Sequence, residues 1–253
     1  MQQVQSLVRA LGILNTLADS DDGMTLTEIS QRVKLPPSTV HRLLTTMQHE
    51  RYVTFDGERT LWSIGVQAFS VGNAFTKNRN LSQIARPYMR ALMEESGETV
   101  NLAVADGGEV IFLSQVECRK MMRALVTPGR RALMHCSGVG KALLAFLPDR
   151  EVDVIINQHG LPKMTEHTRT MPHGLKQDLE MARKQGWAVD DEEHAVGLRC
   201  VAGVVRDETG QPIAALSLSG PAARISEERL AVFGALVRRV CGDLSREYGG
   251  IPV

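Results

Sequence analysis

No stretch of the chain is apolar for long enough to cross a bilayer. The longest apolar runs are short, such as Leu143 to Leu147, against the roughly 20 residues that a spanning helix needs. The N-terminus shows no basic region followed by a continuous apolar stretch, so no secretory signal is read. A cytoplasmic location and no membrane partner are expected. Cysteine is scarce too: Cys118, Cys136, Cys200 and Cys241 are scattered, with no C-x-x-C pair. That spacing excludes a disulfide framework and a zinc ribbon, and four reduced, mostly buried thiols are expected. There is no G-x-S-x-G elbow and no H-E-x-x-H motif. A nucleophile would have to be Cys200 or Cys136, with His135 or His194 as base. The seven histidines and the cysteines offer no recognisable ligand spacing. No catalytic residue, metal or cofactor is therefore expected, and a metal-dependent or catalytic small-molecule domain is the minor alternative. A carboxylate beside Cys200, such as Asp190, would disfavour its thiolate, which argues against a redox sensor.

Net charge is also missing. The 253 residues carry 29 Lys/Arg and 29 Asp/Glu, so no strong field draws the whole chain to nucleic acid. The distribution is more telling than the sum. Residues 1–64 hold six basic and seven acidic side chains, whereas residues 65–90 hold Lys77, Arg79, Arg86 and Arg90 and no acid. A DNA reader built this way relies on a few placed contacts. What the chain does have is apolar residue, 43% of the total, enough for a real core and incompatible with disorder. There is no internal repeat and no low-complexity segment.

Val4, Leu7, Val8, Leu11, Leu14 and Leu17 recur at helical spacing and predict a first amphipathic helix. It ends at Asp19-Ser20-Asp21-Asp22-Gly23. Thr25 with Glu28 three residues on reads as a capping box, opening a short helix through Leu26, Ile29 and Val33. After Lys34-Leu35, Pro36 and Pro37 open a third helix, where a missing N–H costs nothing. Its buried face is Val40, Leu43, Leu44 and Met47. Its other face shows Ser38, Thr39, His41, Arg42, Thr45 and Gln48, short donors plus one arginine, suited to base edges and phosphates. Tyr52 to Phe55, a turn at Asp56-Gly57, and Thr60 to Ser63 predict a hairpin. Three short helices and a hairpin make a winged helix-turn-helix over residues 1–64, with Thr25, Ser38, Thr39, His41, Arg42 and Thr45 as the candidate DNA-facing residues. Use of such a module for protein contacts is the competing reading.

Residues 65–80, with Val66, Phe69, Val71 and Phe75, predict a linker helix. Leu81, Ile84, Ala85, Tyr88, Leu92 and Met93 predict a long helix stopped by Gly97. The period then changes to two: Val100, Leu102 and Val104 alternate with Asn101 and Ala103, and Val110 to Leu113 returns after Asp106-Gly107-Gly108. Helices are predicted at 139–146, 150–159, 174–185 and 226–248, and strands at 200–206 and 213–218. Mixed strands and helices over 81–253 imply an α+β second domain.

Several stretches, in order and over nearly the whole chain, resemble the isocitrate lyase regulator (IclR) family of bacterial transcription regulators. They are LPPSTVHRLLTTM, LMEESGETVNLAV, LMHCSGVGKALLA, DDEEHAVGLRCVAG and AALSLSGPAARIS. The resemblance implies a winged helix-turn-helix, a linker helix and a GAF-like domain that binds a small effector. It also implies homodimers, pairing into dimers of dimers on palindromic double-stranded operator DNA. Members of that family often carry a basic arm before the first helix, whereas this sequence starts Met1-Gln2-Gln3. Without an arm, minor-groove contacts are lost and affinity falls.

Three segments of the second domain are candidates for holding a small anion. Ser137-Gly138-Val139-Gly140-Lys141 places small residues at a helix start, where backbone N–H groups and the helix dipole suit a carboxylate. It is not a P-loop, because His135 stands where that motif needs glycine. An ordinary glycine-rich helix start is the plain alternative. In Asp190 to Cys200, the run Asp190-Asp191-Glu192-Glu193 reads equally as a solvated loop; a buried aspartate there would hold a hydroxyl, a hydrated aldehyde or a protonated group. Ser217 and Ser219 stand at i and i+2 on a strand, hence on one face, either gripping a polar ligand or facing solvent. The resemblance to glyoxylate- and pyruvate-responsive members implies that Gly138, Val139, Asp190, Cys200, Ser217 and Ser219 line the effector, with Met121, Ala124, Ala132 and Leu198 as apolar wall. Val139 stands where alanine is common. Ala124 and Ala132 are smaller than the Met and Leu expected in a glyoxylate binder and leave more room. A small 2-oxo acid such as glyoxylate, regulating a carbon-metabolism operon, is expected; a bulkier hydroxy or aromatic acid stays open.

Overall fold

The computed structural model describes residues 4–79 and 81–252, and for residues 73–80 it describes no side chains. Met1-Gln2-Gln3 and the side chain of Phe75 thus lie outside the described residues. The chain divides between Arg79 and Asn80 into two compact units, with α4 below grouped in the first.

The first unit contains α1 (Gln5–Ala18), α2 (Leu26–Val33), α3 (Pro37–His49), β1 (Val53–Asp56), β2 (Leu61–Ile64) and α4 (Val66–Arg79). The capping box forms: Thr25 N–H donates to Glu28 Oε2 at 2.8 Å, and Glu28 N–H donates to Thr25 Oγ1 at 3.3 Å. Lys34 ends α2 in the left-handed region, φ 53°, and Pro37 sits at the first turn of α3. Ile13, Leu17, Ile29, Val40, Leu44, Met47, Val53 and Trp62 form one core. The stripe on α1 runs further than that core: Val4, Leu7, Val8 and Leu11 are exposed, as are Val66, Phe69 and Val71 on α4.

The wing differs from a two-residue hairpin. Asp56 pairs with Leu61, so four residues make the connection. Asp56 Oδ1 accepts from Glu58 N–H at 2.9 Å and Arg59 N–H at 3.1 Å, and the left-handed position falls to Thr60, φ 56°, rather than to Gly57. The aspartate side chain supplies the turn that glycine would otherwise give. Met24 forms a bridge to Trp62, exchanging backbone hydrogen bonds at 2.8 and 2.9 Å, and this ties the wing to the entrance of α2.

The second unit is α+β. Its elements are α5 (Leu81–Ser96), β3 (Thr99–Asp106), β4 (Glu109–Val116), β5 (Arg131–Leu133), a 3-10 turn (Met134–Cys136), α6 (Gly138–Ala145), α7 (Asp149–His159), α8 (Pro172–Gln185), β6 (Ala188–Asp191), β7 (Leu198–Arg206), β8 (Pro212–Pro221) and α9 (Glu227–Glu247). Six strands pair antiparallel in the order β5-β4-β3-β8-β7-β6. Val100, Leu102 and Val104, Val201 and Val205, and Ala214, Leu216 and Leu218 face α5 and α9. The alternate residues, Ala103, Ala202, Val204 and Ala215, face α6 and α8. Covering both faces explains why these strands read as nearly continuous apolar runs. At Gly203 a Cβ would lie 2.9 Å from Val237 Cγ1 and 3.0 Å from Cys241 Sγ, so glycine lets α9 lie against β7.

Two short strands were not expected. β5 has three residues and β6 four. The acidic run opens inside β6, with Asp190 paired to Cys200 and Asp191 to Arg199. Asp190 and Glu193 are buried, which removes the solvated-loop reading for them, while Asp191 stays exposed.

Candidate functional site

In the first unit, α3 presents Ser38, His41, Arg42 and Thr45 as exposed residues, with Thr39 half-buried. Thr45 Oγ1 donates to His41 O at 2.9 Å, which leaves its methyl and the hydroxyl's lone pairs outward. Arg42 has no side-chain partner among the described residues. His41 and Thr45 share a groove with Thr25, Thr27, Gln48 and the wing residues Phe55 and Thr60; His41 stands edge-on to Trp62, centroids 6.5 Å apart. The Thr25 hydroxyl also donates to Glu28 Oε2 at 2.7 Å, so most of its capacity goes to the cap. Ser38, Thr39 and Arg42 lie elsewhere on the helix. Phe55 and Thr27 are residues of this groove that the sequence reading did not single out.

In the second unit, strand register assembles a polar patch on the α6 face. Asn101 on β3 lies opposite Ser217 on β8, Ser219 opposite Cys200 on β7, and Cys200 opposite Asp190 on β6. Four strands therefore offer one row of short polar side chains. Asn101 Nδ2 donates to Ser219 Oγ at 3.2 Å and Ser217 Oγ at 3.4 Å, while Gln115 Nε2 donates to Asn101 Oδ1 at 2.7 Å. Gln115 thereby fixes the amide with its NH2 toward the serines. The first turn of α6 is aimed at this row. Ser137 Oγ accepts from Gly140 N–H at 3.2 Å. The Gly138 and Val139 N–H groups have no such partner among the described residues, which makes them first-turn donors for an anion. Glycine eases the approach at Gly138, where a Cβ would stand 3.2 Å from Cys200 Cβ, and is required at Gly140, where one would run into the backbone of Met134.

The polar row and the first turn of α6 line a cavity of about 440 Å³. It gathers Gly138, Val139, Asp190, Cys200, Ser217 and Ser219, and also Ala124, Ala132 and Leu198. Met121 is a correction: it is 98% exposed and does not line the cavity. Its loop, residues 117–130, is held at its start by Lys120 and Arg224 on the buried Glu98 and by Arg123 on Glu117. From there Ala124 to Thr127 border the cavity, whereas Met121 does not. Asn101, Phe112, Arg130 and His194 also line the cavity and were missed as site residues. For Asn101 the signal was present, as the polar position in an alternating strand.

Burial dominates the protonation of this site. It pushes the Asp190 carboxyl up to about 7, against hydrogen bonds to Asp190 Oδ1 from the His194 and Glu193 N–H groups at 3.2 and 2.8 Å. The Cys200 thiol is pushed well above its ordinary range by burial and then by the Asp190 charge, and Cys136 up to about 12 by burial, Asp190 and Glu193. Burial lowers His194. Cys136 Sγ lies 4.0 Å from His194 Nδ1, but both groups are driven to their neutral forms, the reverse of an activated thiolate–imidazolium pair. Behind the cavity Lys141 of α6 forms a buried ion pair with Glu193 and reaches Asp178 of α8 at 3.3 Å. No group of three or more His, Cys, Asp or Glu residues fit to hold a metal ion occurs among the described residues, and no described helix is long and apolar enough to cross a membrane.

Residues 6–57 match the profile of the IclR helix-turn-helix domain, and residues 73–246 match that of the bacterial transcriptional regulator IclR C-terminal domain. The chain belongs to the IclR family. It is a transcriptional repressor by kinship rather than an enzyme. The transcriptional repressor IclR of Escherichia coli strain K12 is 47% identical over 251 residues, covering 98% of this chain and 92% of that protein. The acetate operon repressor of Salmonella typhimurium is 46% identical over 250 residues, covering 98% and 91%. Among solved structures, an IclR homologue of Microbacterium hydrocarbonoxydans complexed with 4-hydroxybenzoate superposes with a TM-score of 0.83 at 23% identity, over 96% of this chain and 98% of that one. That likeness concerns the fold.

Proposed function

We propose that this family member represses a carbon-metabolism operon in the cytoplasm, and that a small carboxylate, glyoxylate or a related 2-oxo acid, controls its grip on operator DNA. The observation that carries the effector reading is the cavity at the first turn of α6. There, N–H donors meet a row of Asn101, Ser217, Ser219, Cys200 and Asp190. The N–H groups and serine hydroxyls suit a carboxylate. A protonated Asp190 donates to its oxo or hydrated oxygen, and small residues keep the backbone accessible. The name of the Salmonella relative, an acetate operon repressor, supports the metabolic class.

The exposed face of α3 supports DNA reading through Ser38, Thr39, His41, Arg42 and Thr45, with Thr25 at the entrance of α2. The unpartnered apolar stripes Val4, Leu7, Val8 and Leu11 on α1 and Val66, Phe69 and Val71 on α4 support pairing with a second copy, since such patches mark association surfaces. Two readers in a homodimer, or four in a dimer of dimers, match a palindromic operator with half-sites one or more helical turns apart. Effector binding shifts the DNA-competent population only by its differential affinity for the two states.

The test is the double variant Ser217→Ala with Ser219→Ala. Operator binding in gel shifts should persist while glyoxylate loses its effect and its calorimetric signal. Unchanged calorimetric affinity would place the effector elsewhere.

A further inference from the structure

We propose, building on the 2-oxo-acid reading above, that the effector is longer than glyoxylate: a 2-oxo acid of about five carbons ending in a second carboxylate, which Arg130 receives at the cavity rim.

Glyoxylate has five heavy atoms. Even at the volume that water occupies in the liquid, about 30 Å³ per molecule, five such atoms displace roughly a third of the 440 Å³ available. The positions that would take up the slack are alanines, Ala124 and Ala132, both lining the cavity. Leu125 lines it as well and is left 63% exposed, an apolar surface that a methylene chain would cover.

The cavity runs across the sheet. Its polar row lies on β6, β7, β8 and β3, while Phe112 is on β4 and Arg130 leads into β5, its carbonyl accepting from Phe112 N–H at 3.0 Å. From Ser217 on β8 to the β5 edge is three strand spacings, about 14 Å, less the reach of an arginine side chain. A two-carbon acid seated on the serines cannot also meet that arginine.

Two arginines line the rim, and one is committed: Arg131 holds Asp106 and Glu109, each at 2.6 Å. Arg130 has no side-chain partner among the described residues. A guanidinium beside an apolar channel whose far end is already furnished for a carboxylate is suited to a second one. A neutral or aromatic tail would leave that cation unused.

The experiment is calorimetric titration of the full chain with glyoxylate, with 2-oxoglutarate, and with 2-oxohexanoate, whose tail is uncharged. The diacid should bind at least tenfold more tightly than either of the others. Arg130→Gln, an exposed substitution that spares the core, should bring the diacid's affinity down to that of glyoxylate. Glyoxylate binding as tightly as the diacid overturns the proposal while leaving the 2-oxo-acid reading intact. So does equal affinity for 2-oxohexanoate, or a diacid advantage that survives Arg130→Gln. If none of the three acids binds, the 2-oxo-acid reading itself fails and takes the proposal with it.

Discussion

Asp190 shows how much a single buried residue can set. Its carboxyl is nearly inaccessible and burial raises it to about 7, so near neutrality it passes between a hydrogen-bond donor and a negative charge that would face the proposed carboxylate effector. The sign follows directly. Below about pH 7 the acid is neutral and donates; above it the carboxylate repels the effector. Affinity for a 2-oxo acid should therefore be flat below pH 6 and fall as pH rises through 7 toward 9, by at most about tenfold per unit. Asp190→Asn, neutral throughout, should flatten that profile in calorimetry at pH 6 and 8.5; a profile unchanged by the substitution would assign the titration to another group. The same raised value contributes stability that is present below the ordinary aspartate range and is lost as pH rises through 7.

At the scale of elements, α6 is the demanding piece. All eight of its residues are buried, and it is seated on β7 and β8 through Ala202 and Ala215, with Gly138 and Gly140 removing the side chains that would hold it off. Gly140→Ala places a Cβ against the Met134 backbone, which cannot swing aside. The expected outcome is a loss of about 1–3 kcal/mol, the usual scale of overpacking, seen as a lower midpoint in denaturant, together with loss of effector binding. The helices were largely legible in the sequence because their apolar spacing, the Thr25–Glu28 cap and the Pro37 start are local signals. β6 was not, because Asp190 and Asp191 depress a strand signal and the connection to β7, residues 192–197, is too long for the two-residue hairpin signature. Asn101 looked like the wet side of a half-exposed strand; only α6 on the second face makes it interior. Met121 was placed by resemblance alone, and the loop carrying it takes its course from ion pairs on Glu98 that no local pattern announces. Likewise, the wing loop read as an Asp-Gly turn until the Asp56 side chain was seen to do the turning.

For the whole molecule, a chain with no net charge has to obtain DNA specificity from few contacts. Arg42→Ala should weaken operator binding by about 1–3 kcal/mol if the guanidinium reads a base bidentately, with effector affinity intact. Gel shifts on specific and scrambled duplexes distinguish this from a phosphate contact, which would weaken both alike and lower the salt slope by about one. An unchanged operator affinity would mean that α3 is not the reader. The placement of sulfur has a different consequence. All four cysteines are buried and lie in the second unit, and residues 1–79 contain none. Thiol-reactive dye added to the native protein therefore reports on the second unit alone, entering as that unit opens or, at Cys200, through the cavity, and its rate of uptake acts as an internal clock. Cys200 sits on the cavity floor, and bound metabolite should slow the clock by a factor of one plus its concentration over its Kd. The chain thus carries its own kinetic assay for occupancy, readable without DNA, while the DNA-reading unit stays chemically silent.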